Sequence, residues 1–378
     1  MANPENTNQS LARTPLYEMG VELKAKFTSF GVWEMPIQYS SIIEEHHSVR
    51  NTAGMFDISH MGKFVLQGQN LISQLEYLVP SDLSRLQPGQ AQYTVLLNHQ
   101  GGIIDDIIIY YQGRDSFDTQ KVVIIVNAAT TDKDKTWILT HLDANKIEFQ
   151  DLSWDKILIA VQGPTATNYL QTLVTDDLSV IRAFGHLETS IFGKYAFLAR
   201  TGYTGEDGFE VMVDSAVGIN LWQNLHDVGV IPCGLGCRDT LRLEAAMALY
   251  GQDINDTITP LEAGLGWLVH LDTKGDFIGK EVLIQQKAEG VPRKLVGLQT
   301  EGRNIPRHGY PVLSLGQVVG EVTSGTLSLT LGYPIALAYV PSQLASVKQQ
   351  LEVEIRGKAY PAVVVKRPFY RSKNRVTK

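Results

Sequence analysis

The chain has 378 residues, a formal net charge of −7, and 44% hydrophobic and 19% charged residues. That length supports two or three domains with real cores, and the acidic balance argues against nucleic acid as the main partner, since phosphate recognition needs a basic surface. Its only cysteines, Cys233 and Cys237, have three residues between them. This spacing is neither a disulfide framework nor a CxxC metal or redox motif, so two free thiols in a reducing compartment are expected.

Residues 1–14 are polar and carry Glu5, so no secretory leader is expected. No run of about 18 apolar residues exists to span a membrane, and the expected location is the cytoplasm. Residues 1–13 read as a mobile tail, after which Pro15 suits the first turn of a helix. Residues 32–39 read as extended. Ser41 with Glu44 is a capping-box signal for a helix to about Arg50. That helix carries His46 and His47, which point about 100° apart on a helix and are read as surface or supporting histidines.

The stretch 54–64 places Asp57, Ser59 and His60 among apolar residues between two glycines. Acid–base chemistry and a hydrogen-bonded turn both remain open for it. Residues 71–79 are helix-like. Residues 92–97 and the isoleucine-rich run 103–111 read as strands joined by a turn of about five residues. Side chains alternate across a strand, so Asp105 and Asp106 point apart and do not form a dyad sharing a proton. Either the two cap the turn or meet an arginine, or one of them is aimed at a cationic or amine-bearing ligand. The register can bring Tyr93 near Asp106.

Residues 121–127 form a strand ending in Asn127, and 131–141 a helix. Residues 157–162 form a strand followed by a helix to about Val174. Strands at 195–200 and 209–213 flank a glycine-rich loop, and the second strand carries Glu210. Helices follow at 218–228 and toward Glu244. Gly234-Leu235-Gly236 lacks the third glycine of a dinucleotide fingerprint, and the strand–helix order is not a strict alternation, so the class is α+β. After a helix at 280–287 and a linker, short strands at 294–300, 317–323, 335–340, 351–356 and 360–366 read as a small all-β barrel or sandwich.

Several motifs together resemble the aminomethyltransferase family, the T-proteins of the glycine cleavage system. They are GMFDISHM at 54–61, GGIIDD at 101–106, RTGYTGEDGFE at 200–210, GLGCRDTLRLE at 234–244, LYGQDI at 249–254, and TSGT at 323–326 followed by Thr330-Leu331-Gly332. Cys237 stands where the family has a small residue. The resemblance implies a three-domain cloverleaf around a central folate site, with a C-terminal small β-barrel. Its expected domains are 14–54 with 150–275, 55–149, and 280–378.

The implied reaction moves the methylene of an aminomethyl group, carried on the lipoyl arm of the H-protein, to tetrahydrofolate with release of ammonia. The resemblance assigns the catalytic carboxylate to Asp106 and the pterin-binding carboxylate to Glu210. It assigns further folate contacts to Tyr93, Asn127, Arg238 and Met61, with Arg238 on the folate tail or on a nearby aspartate. The family's C-terminal tyrosine does not align cleanly with Tyr370. No metal is expected.

The chemistry agrees with these residues. A fixed carboxylate can orient the folate amine and stabilise positive charge as it forms, and a second can accept the ring N–H and exocyclic amine of a pterin as a fork. Since H-proteins are acidic as a family, a basic docking face is expected at Lys280, Lys287, Arg293 and Lys294. The competing readings are a folate-dependent demethylase and a folate-binding accessory protein of iron–sulfur assembly. The demethylases acting on methylated glycines usually carry a flavin domain, for which no fingerprint appears. The accessory branch has a cysteine in a KGCYxGQE segment, where this chain reads ALYGQD at 248–253.

Overall fold

The computed structural model describes residues 10–372. Besides a two-stranded antiparallel sheet of Lys26–Phe30 and Trp33–Gln38, the chain builds two larger open sheets and one barrel. The six-stranded sheet runs in the order His186–Ile191, Lys194–Ala199, Gly208–Asp214, Lys156–Gln162, Gly54–Asp57, Ile231–Pro232. The five-stranded sheet has the order Gln90–Leu97, Ile103–Arg114, Gln120–Val126, Gly62–Gly68, Ile147–Asp151. The closed barrel runs Arg293–Thr300, Pro334–Pro341, Gln317–Leu327, Pro311–Ser314, Gln350–Ile355, Lys358–Val365. Pairing within all three is antiparallel apart from Ile231–Pro232 against Gly54–Asp57, as befits an α+β class.

Strand alternation decides what each sheet face meets. In the isoleucine-rich strand, Ile107, Ile109 and Tyr111 join a core with Leu71, Leu75 and Ile138 from the covering helices Leu71–Glu76 and Thr131–His141. Ile108 and Tyr110 face the other way, into a core shared with Phe56, Leu158, Phe197 and Leu241 of the six-stranded sheet and helix Leu235–Glu244. A third core packs the tip of the hairpin (Val95, Leu97, Ile103) against Leu243, Phe277 and the barrel residues Leu295, Leu337 and Tyr339. The three units therefore meet around one end of the Gln90–Arg114 hairpin.

Polar seams lock that meeting. Ser41 caps helix Ile42–Asn51 by accepting from the Glu44 N–H at 3.1 Å, as the motif predicts. At the far end of that helix Arg50 reaches Glu244, 2.8 Å away, and Glu206, 3.1 Å away. Glu244 also accepts from the Ser328 hydroxyl at 2.6 Å and the Thr330 hydroxyl at 2.7 Å, both in the barrel segment. His46 is fully buried between the Thr240 and Thr330 hydroxyls, at 2.8 and 2.9 Å. His47 is exposed, as the surface reading expects, and His46 takes the supporting role inside this seam.

Other expectations shift. Of the tail expected over 1–13, residues 1–9 lie outside the described residues. Ala12, however, exchanges backbone hydrogen bonds with Val32 and Glu34 at 2.8 Å, so order begins before Thr14. The helix expected to reach Val174 is confined to Ala166–Gln171. Strands Gly62–Gly68, His186–Ile191 and Pro311–Ser314 carry glycine, charge or proline within or beside short runs, and their local pattern is too weak to announce them.

Neighbours that supply positive charge and donors hold the Glu244 carboxyl far below the ordinary carboxylate range. A depressed carboxyl contributes stability above its unfolded value, and that contribution is lost as pH falls toward the folded value. Glu244→Ala should lower unfolding free energy by about 3–5 kcal/mol, the scale for stranding a buried charge such as Arg50, and should flatten the acid side of stability against pH. Equilibrium denaturation across pH checks this. A change within experimental error would show that the seam does not hold the units together.

Candidate functional site

The hairpin end carries the carboxylates. Asp105 follows Ile107 onto the helix-covered face and is fully buried, whereas Asp106 follows Ile108 toward the six-stranded sheet and is half-exposed. Tyr93, two residues along the strand from Asp106's cross-strand partner Val95, donates its hydroxyl to Asp106 at 3.0 Å. Asn127, just past the end of strand Gln120–Val126, donates its side-chain amide to Asp106 Oδ1 at 2.8 Å and to Asp105 Oδ1 at 2.9 Å. Its backbone N–H adds a bond to Asp105 at 3.0 Å.

The two aspartates do point apart, but they are not electrically separate. Burial first, and then the charge of Asp105, push the Asp106 carboxyl up to about 7, against the lowering effect of Tyr93 and Asn127. Asp106 is thus poised between charged and neutral forms near neutrality, a condition suited to a reacting carboxyl.

The second half of the site comes from the six-stranded sheet. Glu210, on strand Gly208–Asp214, is buried and accepts from the Thr201 hydroxyl at 2.6 Å. The Tyr110 hydroxyl lies 3.0 Å from the same Thr201 oxygen. Burial raises the Glu210 carboxyl, while Thr201, Arg238 and Tyr110 oppose the rise. Arg238 projects from helix Leu235–Glu244 with its guanidinium 4.7 Å over the Tyr203 ring. One of its terminal nitrogens is buried without a hydrogen-bond partner. The aspartate alternative for Arg238 is taken instead by Arg242, one turn on, which pairs with Asp239 at 2.8 Å and Asp253 at 2.6 Å.

Tyr203 joins the halves, lying within electrostatic reach of both Asp106 and Arg238 and donating its hydroxyl to the Ala248 carbonyl. Its loop is laced by Gln162, which donates to the Thr201 carbonyl at 3.0 Å and accepts from Thr204 at 2.9 Å. A Cβ at Gly202 would sit 1.9 Å from the Gln162 side chain, so only glycine fits there. Tyr93, Asp106, Asn127, Tyr203, Arg238 and Met61 are each half-buried beside buried neighbours. Thr201, Tyr203 and Gln162 were not anticipated. The unusual density of Gly, Thr and Tyr in 201–205 was the available signal.

The stretch 54–64 resolves as a turn between two strands. Asp57 accepts from the Thr14 hydroxyl at 2.5 Å and the Ser59 N–H at 3.0 Å. Lys63 donates to the Ser59 and Met61 carbonyls at 2.7 and 2.9 Å, which fixes the turn carrying Met61. His60 is buried, and burial followed by Arg238 and Lys63 presses it down to about 3, so it is neutral and unsuited to a proton-shuttling pair with Asp57. Tyr370 lies with its ring 4.1 Å from the Arg50 guanidinium, at the Glu244 seam.

The cationic cluster expected to dock an acidic partner is partly neutralised from within. Lys287 pairs with Asp272 at 2.8 Å and Arg293 with Glu262 at 2.9 Å, while Lys280 donates to the Lys274 and Gly275 carbonyls. Two of its four cations are thereby paired with carboxylates. Glu45, Cys233 and Cys237 bring three candidate metal-ligand atoms within 4.8 Å of one another. The Glu45 carboxylate is already used by the Tyr39, Ser40 and Gly234 N–H groups at 2.6, 3.1 and 2.9 Å, so this cluster reads as a structural anchor of helix Leu235–Glu244.

Comparison with known proteins agrees with the geometry. The GCVT N-terminal domain family matches residues 16–273, and the glycine cleavage T-protein C-terminal barrel domain family matches residues 293–371. The chain is 74% identical over 375 residues to an aminomethyltransferase of Nostoc sp., covering 99% of this chain and 100% of the relative. It is 65% identical over 366 residues to one of Rippkaea orientalis, covering 97% and 99%. Its structure superposes with a TM-score of 0.89 on glycine cleavage system aminomethyltransferase T from Bartonella henselae, at 32% identity over 98% of this chain and 100% of that one.

The geometry around Asp106 makes a direct prediction. Its folded carboxyl titrates above an unfolded value of about 4, so its contribution makes the fold less stable as pH rises from about 4 to about 7. Tyr93→Phe removes a donor to the charged form and should move the Asp106 midpoint further up. An NMR titration with carboxyl-labelled aspartate reads this. A midpoint unchanged in the variant would mean that the 3.0 Å bond does not tune Asp106.

Proposed function

This chain belongs to the glycine cleavage T-protein family and is an aminomethyltransferase, and we propose that tetrahydrofolate is its one-carbon acceptor and the lipoylated H-protein its donor. The observation that carries this reading is the half-buried Asp106, held by Tyr93 and Asn127 and within electrostatic reach of Tyr203, over whose ring Arg238 lies. In this reading the folate N5 amine sits against Asp106. The ionised carboxylate stabilises positive charge on nitrogen as the methylene carbon joins it and ammonia departs, an electrostatic role that a desolvated site strengthens. The proton-poised state of Asp106 lets it take the N5 proton without acting as a strong base.

Glu210 accepts the pterin ring N–H and exocyclic amine, with Thr201 and Tyr110 fixing its orientation. Arg238, with an unpartnered nitrogen, takes a folate oxygen rather than a protein carboxylate. Tyr93, Asn127 and Met61 complete the folate contacts, and the folate and residues assigned here call for no metal. The proposed domains are 14–54 with 150–275, then 55–149, then 280–378, with strand Ile147–Asp151 kept whole in the second because it pairs with Gly62–Gly68. Strand Gly54–Asp57 stays with the first because it pairs with Lys156–Gln162, so the first boundary moves to the turn before Gly62. No helix among the described residues is long and apolar enough to cross a membrane, and the cytoplasm is the proposed location.

The reading is tested by methylenetetrahydrofolate formation from aminomethylated H-protein, with and without this protein. Formation no faster than without it would end the proposal. Asp106→Asn should lower turnover at least about 10²-fold while the fold is retained, the scale for losing a preorganised charge partner. Glu210→Ala should weaken tetrahydrofolate binding by about 2–4 kcal/mol, because two pterin donors are left unpaired in a buried site. Calorimetry on the folded variant decides that point, and an unchanged affinity would place the pterin elsewhere.

A further inference from the structure

Behind Asp106 lies a carboxyl that the proposed chemistry does not use. Asp134, in the first turn of helix Thr131–His141, is fully buried beside Asp105. Among the described residues, neither of its oxygens has a hydrogen-bond partner within 3.5 Å, although the Thr130 hydroxyl lies close to both carboxyls. The neighbouring Thr130 hydroxyl donates to the Asn127 carbonyl at 3.1 Å. The nearest cation, Lys133, is turned to the Tyr250 hydroxyl at 2.6 Å and makes no ion pair with Asp134. Two buried carboxyls in contact, without a paired cation, cannot both be charged.

We propose that Asp105 and Asp134 share one proton, held on Asp134, and that the single negative charge this leaves on Asp105 makes Asp105 a positioning residue for the Asp106 carboxyl. Asp105 has donors on its other side, the backbone and side-chain N–H groups of Asn127, so it is the better home for the charge. Asp134 has only Asp105 to donate to, and burial with that adjacent charge pushes it up to about 10. The same Asn127 amide spans Asp105 and Asp106, so the state of the pair is felt one bond from the reacting carboxyl. The other groups facing this cluster are Tyr93, Tyr203 and Tyr250, whose phenols stay neutral in the working range because burial raises all three. The charge count on the pair therefore sets the Asp106 transition.

This inference deepens the role proposed for Asp106 and rests on that reading only for its kinetic arm. In that arm, the acid limb of kcat/KM is measured in Asp105→Asn and Asp134→Asn. With one shared proton, Asp134→Asn keeps an N–H donor to a charged Asp105 and leaves the limb in place. Asp105→Asn leaves a protonated Asp134 and no charge, and the limb falls by about one pH unit. If both carboxyls were charged, Asp134→Asn would lower the limb as well. If both were neutral, Asp105→Asn would leave it where it is. Either result overturns the proposal.

The second arm needs no turnover. Infrared spectra at about pH 8.5, above the Asp106 transition and below that of Asp134, should show a protonated-carboxyl stretch in the native protein. It should disappear in Asp134→Asn, while Asp105→Asn, which removes one of the causes that raise Asp134, should lower the pH at which the band is lost. A band absent from the native protein, or surviving in Asp134→Asn, removes the shared proton even if the folate reading stands. A protein with the band but no folate chemistry would instead sink the reading above.

Discussion

Negative charge buried without cations at contact distance is the constraint on which this site depends. Asp105, Asp106, Asp134 and Glu210 crowd one region, yet among the described residues none of them forms an ion pair with Lys or Arg. Their partners are neutral donors: the Asn127 amide, the Tyr93 phenol and the Thr201 hydroxyl. Neutral donors moderate the cost of burying a carboxylate without cancelling its charge. The site therefore keeps an unspent negative field, the kind of surroundings that the proposed amine-bearing ligand would need. An arginine in place of Asn127 would satisfy the aspartates and abolish that field.

The cations are placed elsewhere with equal economy. Arg50 and Arg242 are both buried and both saturated by carboxylates at the seams where helices Ile42–Asn51 and Leu235–Glu244 meet the barrel. Arg242 also donates to Ser324 of the barrel at 2.8 Å. Arg238, on the same helix as Arg242, has a buried guanidinium nitrogen without a hydrogen-bond partner among the described residues. One helix thus carries one arginine saturated by carboxylates and, one turn away, one that is not.

The hairpin was legible because its signals are local. A five-residue turn with Gly101 and Gly102, a run of isoleucines, and alternation together give the strands, the burial of Asp105 and the approach of Tyr93 to Asp106. The helix at 131–141 and the barrel were legible for the same reason. What stayed hidden depends on long-range packing. His46 sits in the core because Thr240 and Thr330, far along the chain, close over it. Asn127 bridges two aspartates only because strand Gln120–Val126 ends beside them. The lysine and arginine cluster around 280–294 looked basic in one dimension, but Asp272 and Glu262 fold back onto it. Motif resemblance reached Glu210 and Arg238, whereas Asp134, in an ordinary helix, carries no sequence mark of its burial.

The most direct test of the account is a crystal structure with tetrahydrofolate bound. The account predicts N5 within about 3 Å of an Asp106 carboxylate oxygen, hydrogen-bond reach for a reacting amine, with the pterin edge on Glu210 and Tyr93 and Asn127 still on Asp106. A pterin bound away from Glu210, or N5 facing away from Asp106, would contradict it.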